Sequence, residues 1–73
     1  MEKSILKEVS NGIVYLILNR PERLNAFTTQ MFLDLAYLID ECNHDQDIHA
    51  IVLTGNGTFF TSGNDQSKFS LAS

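Results

Sequence analysis

The sequence is poor in tryptophan, proline and cysteine. Its 73 residues include no tryptophan and one proline. Cys42 is the one cysteine, so no disulfide framework can form within the chain. An unpaired cysteine without a signal-peptide pattern is typical of a reducing intracellular compartment. We therefore expect an intracellular protein.

Long apolar runs and basic stripes are also missing. No apolar run approaches the roughly 20 residues that a membrane-spanning helix needs. Five lysines and arginines stand against nine acidic residues, and the resulting net charge of −4 leaves no basic stripe for a nucleic acid to follow. We therefore expect neither a membrane nor a nucleic acid as partner.

Two short β-rich stretches open the chain. Residues 4–9 and 13–18 flank Asn11-Gly12, a dipeptide that strongly favours the tight turn of a β-hairpin. Pro21 ends the second stretch because it has no N–H for the sheet and pushes the preceding residue toward extended geometry. We therefore predict a β-hairpin followed by a loop over residues 19–27.

Helical periodicity follows this loop. Five apolar residues recur at intervals of three or four: Met31, Leu35, Leu38, Ile39 and Cys42. The pattern predicts an amphipathic helix from about residue 28 to residue 43, with Thr28 or Thr29 as its N-cap. Residues 50–54 are apolar without alternation, as expected of a strand covered on both faces of a parallel sheet. Strand, helix and strand in this order predict an α/β protein with a right-handed crossover.

The most informative stretch follows the last strand. Residues 60–65 read Phe-Thr-Ser-Gly-Asn-Asp, so a buried strand runs into a turn of small residues. Such a turn presents backbone N–H groups to a ligand, and Gly63 lets a ligand approach without a Cβ clash. We interpret this turn as half of an oxyanion hole.

A second motif lies upstream. Residues 18–27 read Leu-Asn-Arg-Pro-Glu-Arg-Leu-Asn-Ala-Phe. Arg20 and Arg23 are close together there, and a local positive spot of this kind suits a single phosphate-bearing ligand despite the negative net charge.

Together, the two segments resemble the N-terminal end of the crotonase superfamily, the enoyl-CoA hydratases and isomerases, and the resemblance covers about residues 9–69. It implies an α/β, crotonase-like ββα spiral fold that begins with the β-hairpin, the helix and the parallel strand. Members of the family run to roughly 250 residues, the size of a large single domain. The resemblance therefore implies that residues 1–73 are the truncated N-terminal part of one such domain, which forms homotrimers at full length.

The resemblance also implies a set of ligand-binding residues. Arg23, Leu24 and Ala26 match the positions that line the site for the nucleotide end of coenzyme A. The backbone N–H of Ser62 matches the catalytic donor to the thioester oxygen. The rest of the implied acyl-CoA-binding set is Gly63, Asn64, Asp65 and Gln66. Coenzyme A is part of this substrate, so neither a separate cofactor nor a metal is implied.

Each motif also has a purely structural interpretation, and the residues alone leave both open. Pro21 and Asn25 can simply shape the connection between strand and helix, with Arg23 as a solvated surface charge. Ser62 and Asn64 can be caps of an ordinary turn, which Asp65 orders by accepting backbone hydrogen bonds.

Residues 62–65, Ser-Gly-Asn-Asp, resemble the peroxisomal Δ3-Δ2-enoyl-CoA isomerases, which shift the double bond of a 3-enoyl-CoA to the trans-2 position in fatty acid oxidation. An enoyl-CoA hydratase and a non-catalytic truncated chain are the alternatives. In the family, the catalytic glutamate and the second oxyanion donor lie in later segments, so residues 1–73 alone are expected to be catalytically incompetent. The family implies the peroxisome or the mitochondrion, although no targeting signal is visible and the last three residues do not match the Ser-Lys-Leu type.

Three other features have weaker chemical interpretations. Residues 44–49 hold two histidines and two aspartates without a recognised ligand spacing, so we predict a polar connection and no metal site. Cys42 lies on the apolar stripe of the helix, where a small buried hydrophobe is expected and not a nucleophile. Phe59, Phe60 and Phe69 can border an acyl tunnel or belong to the core.

Overall fold

The computed structural model describes residues 3–58 and 60–63. Within these ranges the chain forms three strands, one long helix and a 3-10 turn. They are β1 (Ile5–Ser10), β2 (Ile13–Leu18), the turn Pro21–Arg23, α1 (Thr29–Asn43) and β3 (Ala50–Gly55). The predicted α/β class, with a hairpin, a helix and a parallel strand, is confirmed. The predictions for Phe59, Phe69 and residues 64–66 lie outside the described residues.

The hairpin forms around the predicted dipeptide. β1 and β2 pair antiparallel, and Ser10 lies opposite Ile13 at the closed end. Asn11 and Gly12 have φ angles of 51° and 79°, as the tight turns that match strand twist require. A side chain at Gly12 would meet the His49 ring at 2.5 Å, so the turn also packs closely against the connection that precedes β3.

α1 begins where the sequence predicted. The Thr28 hydroxyl oxygen accepts a hydrogen bond from the Met31 N–H at 3.1 Å, which settles the N-cap on Thr28. Such a cap satisfies one of the N–H groups that a helix start leaves unpaired. The helix buries Met31 and Cys42, and its three other apolar stripe residues pack against the same core: Leu35, Leu38 and Ile39.

α1 connects two parallel strands. β3 pairs parallel with β2, and the sheet order is β1-β2-β3. β2 alternates between buried and half-buried residues, and its buried side chains Val14, Leu16 and Leu18 share one cluster with Met31 and Cys42. Each fully buried leucine contributes about 2 kcal/mol to stability. The first motif segment begins at the end of β2, at Leu18, and the second begins at residue 60, after β3 has ended at Gly55.

The prediction that β3 is covered on both faces is wrong for the described part of the chain. Val52 and Leu53 are each 39% exposed. β3 is an edge of the three-stranded sheet and α1 packs on one face of it, so most of its side chains are left at the surface. Burial within residues 3–58 and 60–63 therefore does not explain the apolar composition of this strand.

Candidate functional site

The segment between β2 and α1, residues 19–27, is here called the ligand loop. It begins with a 3-10 turn at Pro21–Arg23, where proline at the first position suits the fixed backbone angle. Leu24 and Asn25 then adopt left-handed φ angles of 52° and 54°, a conformation that asparagine tolerates better than most residues. The Asn25 N–H closes the loop by donating to the Arg20 carbonyl at 2.8 Å. The ligand loop is thus tightly folded.

Asn25 lies at the centre of this loop and is fully buried, with 0% of its surface exposed. Its side-chain oxygen accepts the Arg20 N–H at 2.7 Å, and its side-chain nitrogen donates to the Asn56 carbonyl at 2.8 Å. A buried amide is costly unless its polar atoms have partners. Sequence reasoning treated Asn25 only as a residue that shapes a connection and missed this role. The available signal was an asparagine inside the apolar Leu-Asn-Ala-Phe run.

The segment after β3, residues 60–63, is here called the glycine turn, and it lies against the ligand loop. The Ser62 N–H donates to the Leu24 carbonyl at 3.0 Å, and the Phe27 N–H donates to the Gly63 carbonyl at 2.8 Å. Between these two bonds, the Thr61 hydroxyl donates to the Asn25 carbonyl at 2.7 Å. The fold therefore brings together two motifs that are more than 30 residues apart in the chain.

Ser62 lies where the two segments meet. Its side chain is exposed, and its N–H donates to the Leu24 carbonyl at 3.0 Å. In this geometry the amide joins the two segments, and it can reach a thioester oxygen only if the bond to Leu24 breaks. Its assignment as the oxyanion donor stays a prediction.

Gly63 has the backbone conformation for which only glycine is suited. Its φ angle is 103°, and a Cβ placed on it would meet no atom of the described residues within 4 Å. Space beside the backbone among these residues agrees with close approach of a ligand at this point. The Gly63 N–H, however, donates to the Thr61 hydroxyl oxygen at 3.1 Å. The amides of Ser62 and Gly63 thus both have acceptors within the protein.

The three residues predicted for the nucleotide end of coenzyme A differ in exposure. Arg23 and Leu24 are exposed, Leu24 to 48%, whereas Ala26 is only 9% exposed. The Arg20 guanidinium donates to the Ala26 carbonyl at 2.6 Å. The two arginines of the loop therefore have different surroundings: Arg20 braces the loop from the inside, and Arg23 lies at its surface.

A groove of about 640 Å³ lies elsewhere, and α1 and β1 form its walls. Its lining residues are Lys3, Ser4, Ile5, Leu6, Lys7, Glu8, Asp34, Tyr37 and Leu38. None of them belongs to the ligand loop or the glycine turn, so this groove does not coincide with the predicted site.

His44 and Asp45 make local contacts in the connection between α1 and β3. His44 Nδ1 lies 2.8 Å from the Asp40 carbonyl oxygen, and the Asp45 carboxylate accepts the Asp47 N–H at 2.9 Å. Among residues 3–58 and 60–63, no group of three or more histidine, cysteine or acidic side chains is placed to hold a metal ion. Cys42 is buried in the core cluster, as predicted for a small hydrophobe. Phe60 is 48% exposed, so it does not belong to the core that the described residues form.

Across the part of the chain that the structure describes, α1 is too short and too polar to cross a bilayer, and no other helix there could do so.

Comparison with known proteins gives consistent matches over nearly the whole chain. The family model described as enoyl-CoA hydratase/isomerase matches residues 8–72. The 1,2-epoxyphenylacetyl-CoA isomerase of Escherichia coli is 42% identical over 65 residues, which make up 89% of this chain and 25% of that protein. The peroxisomal enoyl-CoA delta isomerase 3 of Mus musculus is 36% identical over 63 residues, 86% of this chain and 20% of that protein.

A solved structure shows the same backbone. The enoyl-CoA hydratase/isomerase from Pseudoalteromonas atlantica superimposes with a TM-score of 0.89 at 38% identity, and the match covers 97% of this chain and 28% of that one. The chain thus spans about a quarter of the length of the proteins that it matches.

Proposed function

Because the chain belongs to the enoyl-CoA hydratase/isomerase family, we propose that it supplies the acyl-CoA-binding and oxyanion-stabilising part of an enoyl-CoA isomerase. The proposed reaction shifts the double bond of a 3-enoyl-CoA to the trans-2 position, as a step of fatty acid oxidation. Coenzyme A enters as part of the substrate.

One observation supports this proposal above the others: the ligand loop and the glycine turn are joined. Hydrogen bonds from Thr61, Ser62 and Phe27 hold the two segments side by side. An acyl-CoA has a phosphate-rich nucleotide end and a thioester end, and each requires a different kind of contact. A loop with an exposed arginine beside a glycine turn offers both kinds within one rigid unit.

The nucleotide end is assigned to the ligand loop. The exposed guanidinium of Arg23 offers charge-assisted hydrogen bonds to a phosphate. Leu24 presents an exposed apolar side chain next to it, which suits one face of a purine ring. Arg20 is assigned to holding the Ala26 carbonyl in place, because its guanidinium donates to that oxygen at 2.6 Å.

The thioester end is assigned to the glycine turn and the residues that follow it. Negative charge grows on the thioester oxygen when a proton leaves the adjacent carbon, and a fixed N–H stabilises that charge. We assign this donated hydrogen bond to the Ser62 N–H, which leaves the Leu24 carbonyl when the thioester binds. Gly63, Asn64, Asp65 and Gln66 are assigned to the surroundings of the ligand. No general base is assigned to residues 1–73.

Two observations favour an isomerase over a hydratase. Residues 62–65 read Ser-Gly-Asn-Asp, and two of the relatives named above are isomerases. The oxyanion donor serves both reactions, so the hydratase stays the alternative outcome of the test. The peroxisome is the proposed location, since one of these relatives bears that compartment in its name. A homotrimer is the proposed assembly, which light scattering on the purified protein would check.

The test starts from the protein at its natural length, hereafter the native-length protein. Its intact mass is measured first, and the protein is then incubated with 3-enoyl-CoA and, separately, with 2-enoyl-CoA in water. Conversion of 3-enoyl-CoA to 2-enoyl-CoA would support the isomerase function. Hydration of 2-enoyl-CoA without this conversion would show a hydratase. A native mass of 8.2 kDa with no turnover of either substrate would overturn the proposal of an enzyme. The alternative of a non-catalytic chain would then hold.

A pair of matched variants tests the binding residues in the same assay. Arg23→Gln removes a positive charge from the ligand loop, and Lys7→Gln removes one from an exposed position on β1. The proposal requires weaker substrate binding in the first variant and unchanged binding in the second. Equal effects of the two would mean that only the overall charge matters.

A further inference from the structure

We propose that Thr61 is a positioning residue that couples the ligand loop to the glycine turn, so that contact with the nucleotide end of coenzyme A sets the backbone at the thioester end. This inference rests on the proposed function for its ligand, and on the described hydrogen bonds for its mechanism. It assigns Thr61 a role through other residues and not a contact with substrate.

The coupling depends on one hydroxyl group with two neighbours. The Thr61 hydroxyl donates its proton to the Asn25 carbonyl at 2.7 Å. The same oxygen accepts the Gly63 N–H at 3.1 Å. A hydroxyl has a single proton and two lone pairs, so both bonds can exist together only in this direction. The hydroxyl therefore links the loop carbonyl directly to the amide of the glycine.

The two ends of this link lie at the points that matter for the ligand. Asn25 lies between Leu24 and Ala26, two of the residues assigned to the nucleotide end. Gly63 has a φ angle of 103° and directly follows Ser62, whose amide is assigned to the thioester oxygen. A shift of the Asn25 carbonyl moves the hydroxyl, and the hydroxyl in turn changes the orientation of the peptide at Gly63.

The neighbouring backbone bonds cannot replace this link. Ser62 to Leu24 and Phe27 to Gly63 hold the two segments together, but the second of these uses the Gly63 carbonyl and not its N–H. Without the hydroxyl, the Gly63 N–H loses the acceptor that it has in the described structure. The segments would stay adjacent while the orientation of the turn became independent of the loop.

The first experiment needs no ligand. Amide hydrogen exchange is measured by NMR in the native-length protein and in three variants: Thr61→Val, which keeps the shape and removes the hydroxyl, Thr61→Ser, which restores the hydroxyl, and the control Thr54→Val on β3. Coupling predicts that Thr61→Val speeds exchange about tenfold at Gly63 and also at Asn25 and Ala26, the factor expected for one hydrogen bond of ordinary net strength. Thr61→Ser and Thr54→Val should leave these rates within about twofold of the parent. Faster exchange at Gly63 alone would overturn the coupling.

The second experiment separates this inference from the proposed function. The probe is adenosine 3′,5′-bisphosphate, which has the nucleotide end of coenzyme A and no thioester. Coupling predicts that the probe shifts the Gly63 amide resonance in the parent and in Thr61→Ser but not in Thr61→Val, while Leu24 and Ala26 shift in all three. A Gly63 shift that persists in Thr61→Val would overturn the coupling alone. Absence of any shift at Leu24 and Ala26 would count against the proposed function, and the exchange rates would still decide the coupling.

Discussion

The Asn25 side-chain amide donates to the Asn56 carbonyl at 2.8 Å, across 31 residues of sequence. Asn56 is the first residue after β3, and its own N–H donates to the Leu18 carbonyl at the end of β2. A single buried side chain thus ties the ligand loop to the point where two parallel strands end. The carboxyl ends of parallel strands are common ligand sites in α/β proteins, and Asn25 keeps the loop at that edge.

Replacing this asparagine should destabilise the protein strongly. Asn25→Ala removes two buried side-chain hydrogen bonds of about 1 kcal/mol each and places a Cβ-bearing residue without a polar side chain at a left-handed φ, for another 1 kcal/mol or so. We expect a loss of about 2–3 kcal/mol in the free energy of unfolding, measured by urea denaturation of the native-length protein. Asn25→Gly should lose about 1 kcal/mol less because glycine relieves the backbone strain.

The exposed residue Gln46 supplies the control for this measurement. Gln46→Ala should change stability by no more than about 0.5 kcal/mol. Equal losses for Asn25→Ala and Asn25→Gly would show that the left-handed backbone contributes nothing. An unchanged urea midpoint in both would mean that the buried amide has no structural role.

The two arginines of the ligand loop should respond to substitution in opposite ways. Arg23→Gln should raise the Kd for coenzyme A about five- to tenfold with little change in stability, as expected for a solvent-exposed charge pair worth about 1 kcal/mol. Arg20→Gln should lower stability, because its guanidinium donates to the Ala26 carbonyl inside the loop. Isothermal titration and thermal unfolding measure the two effects. The effect of Arg23→Gln should shrink at high salt; a salt-independent effect would argue against a phosphate contact.

The elements of the fold were predictable because each has a local cause. Asn11-Gly12 requires positive φ angles, and Thr28 caps a helix whose apolar period is clear, so the hairpin and α1 follow from short-range chemistry. The coverage of β3 was predicted wrongly for the opposite reason. The apolar sequence of residues 50–54 shows that this strand suits burial. It does not show whether the element that covers the strand lies among residues 3–58 and 60–63.

The site was predictable only in part. The residue types at Arg23 and Gly63 pointed to a phosphate and to close backbone approach. Sequence could not show that the Ser62 amide is engaged, because its acceptor is the carbonyl of Leu24 and every residue has a carbonyl. For the same reason, the link from Thr61 to the Asn25 carbonyl left no trace in the motif. Long-range backbone hydrogen bonds depend on the fold and not on side-chain identity.

Substitution of the turn glycine should affect binding more than folding. The Cβ of Gly63→Ala would meet no atom of the described residues within 4 Å, but the φ of 103° is unfavourable for any residue with a Cβ, at a cost of about 1–3 kcal/mol. We expect the turn to relax to another conformation, with at least tenfold weaker binding of acyl-CoA by titration. Gly12→Ala is the control, since Gly12 lies in the hairpin turn between β1 and β2 and not in the glycine turn. Its Cβ would lie 2.5 Å from the His49 ring. That variant should lose thermal stability and keep its affinity. The reverse pattern would place the ligand elsewhere.

Backbone substitution should identify the oxyanion donor directly. Replacing the amide of Ser62 by an ester in a semisynthetic native-length protein removes one N–H and leaves the side chain unchanged. If this amide leaves the Leu24 carbonyl to stabilise the thioester oxygen, kcat for the isomerisation should fall about 100- to 1,000-fold, the usual effect of losing one such donor. An ester at Gly63 should break the bond to the Thr61 hydroxyl, with a loss in kcat below about tenfold. An ester at the exposed residue Thr58 controls for the synthesis. A loss in kcat at Ser62 no larger than the loss at Gly63 would mean that the Ser62 amide only joins the two segments and is not the donor.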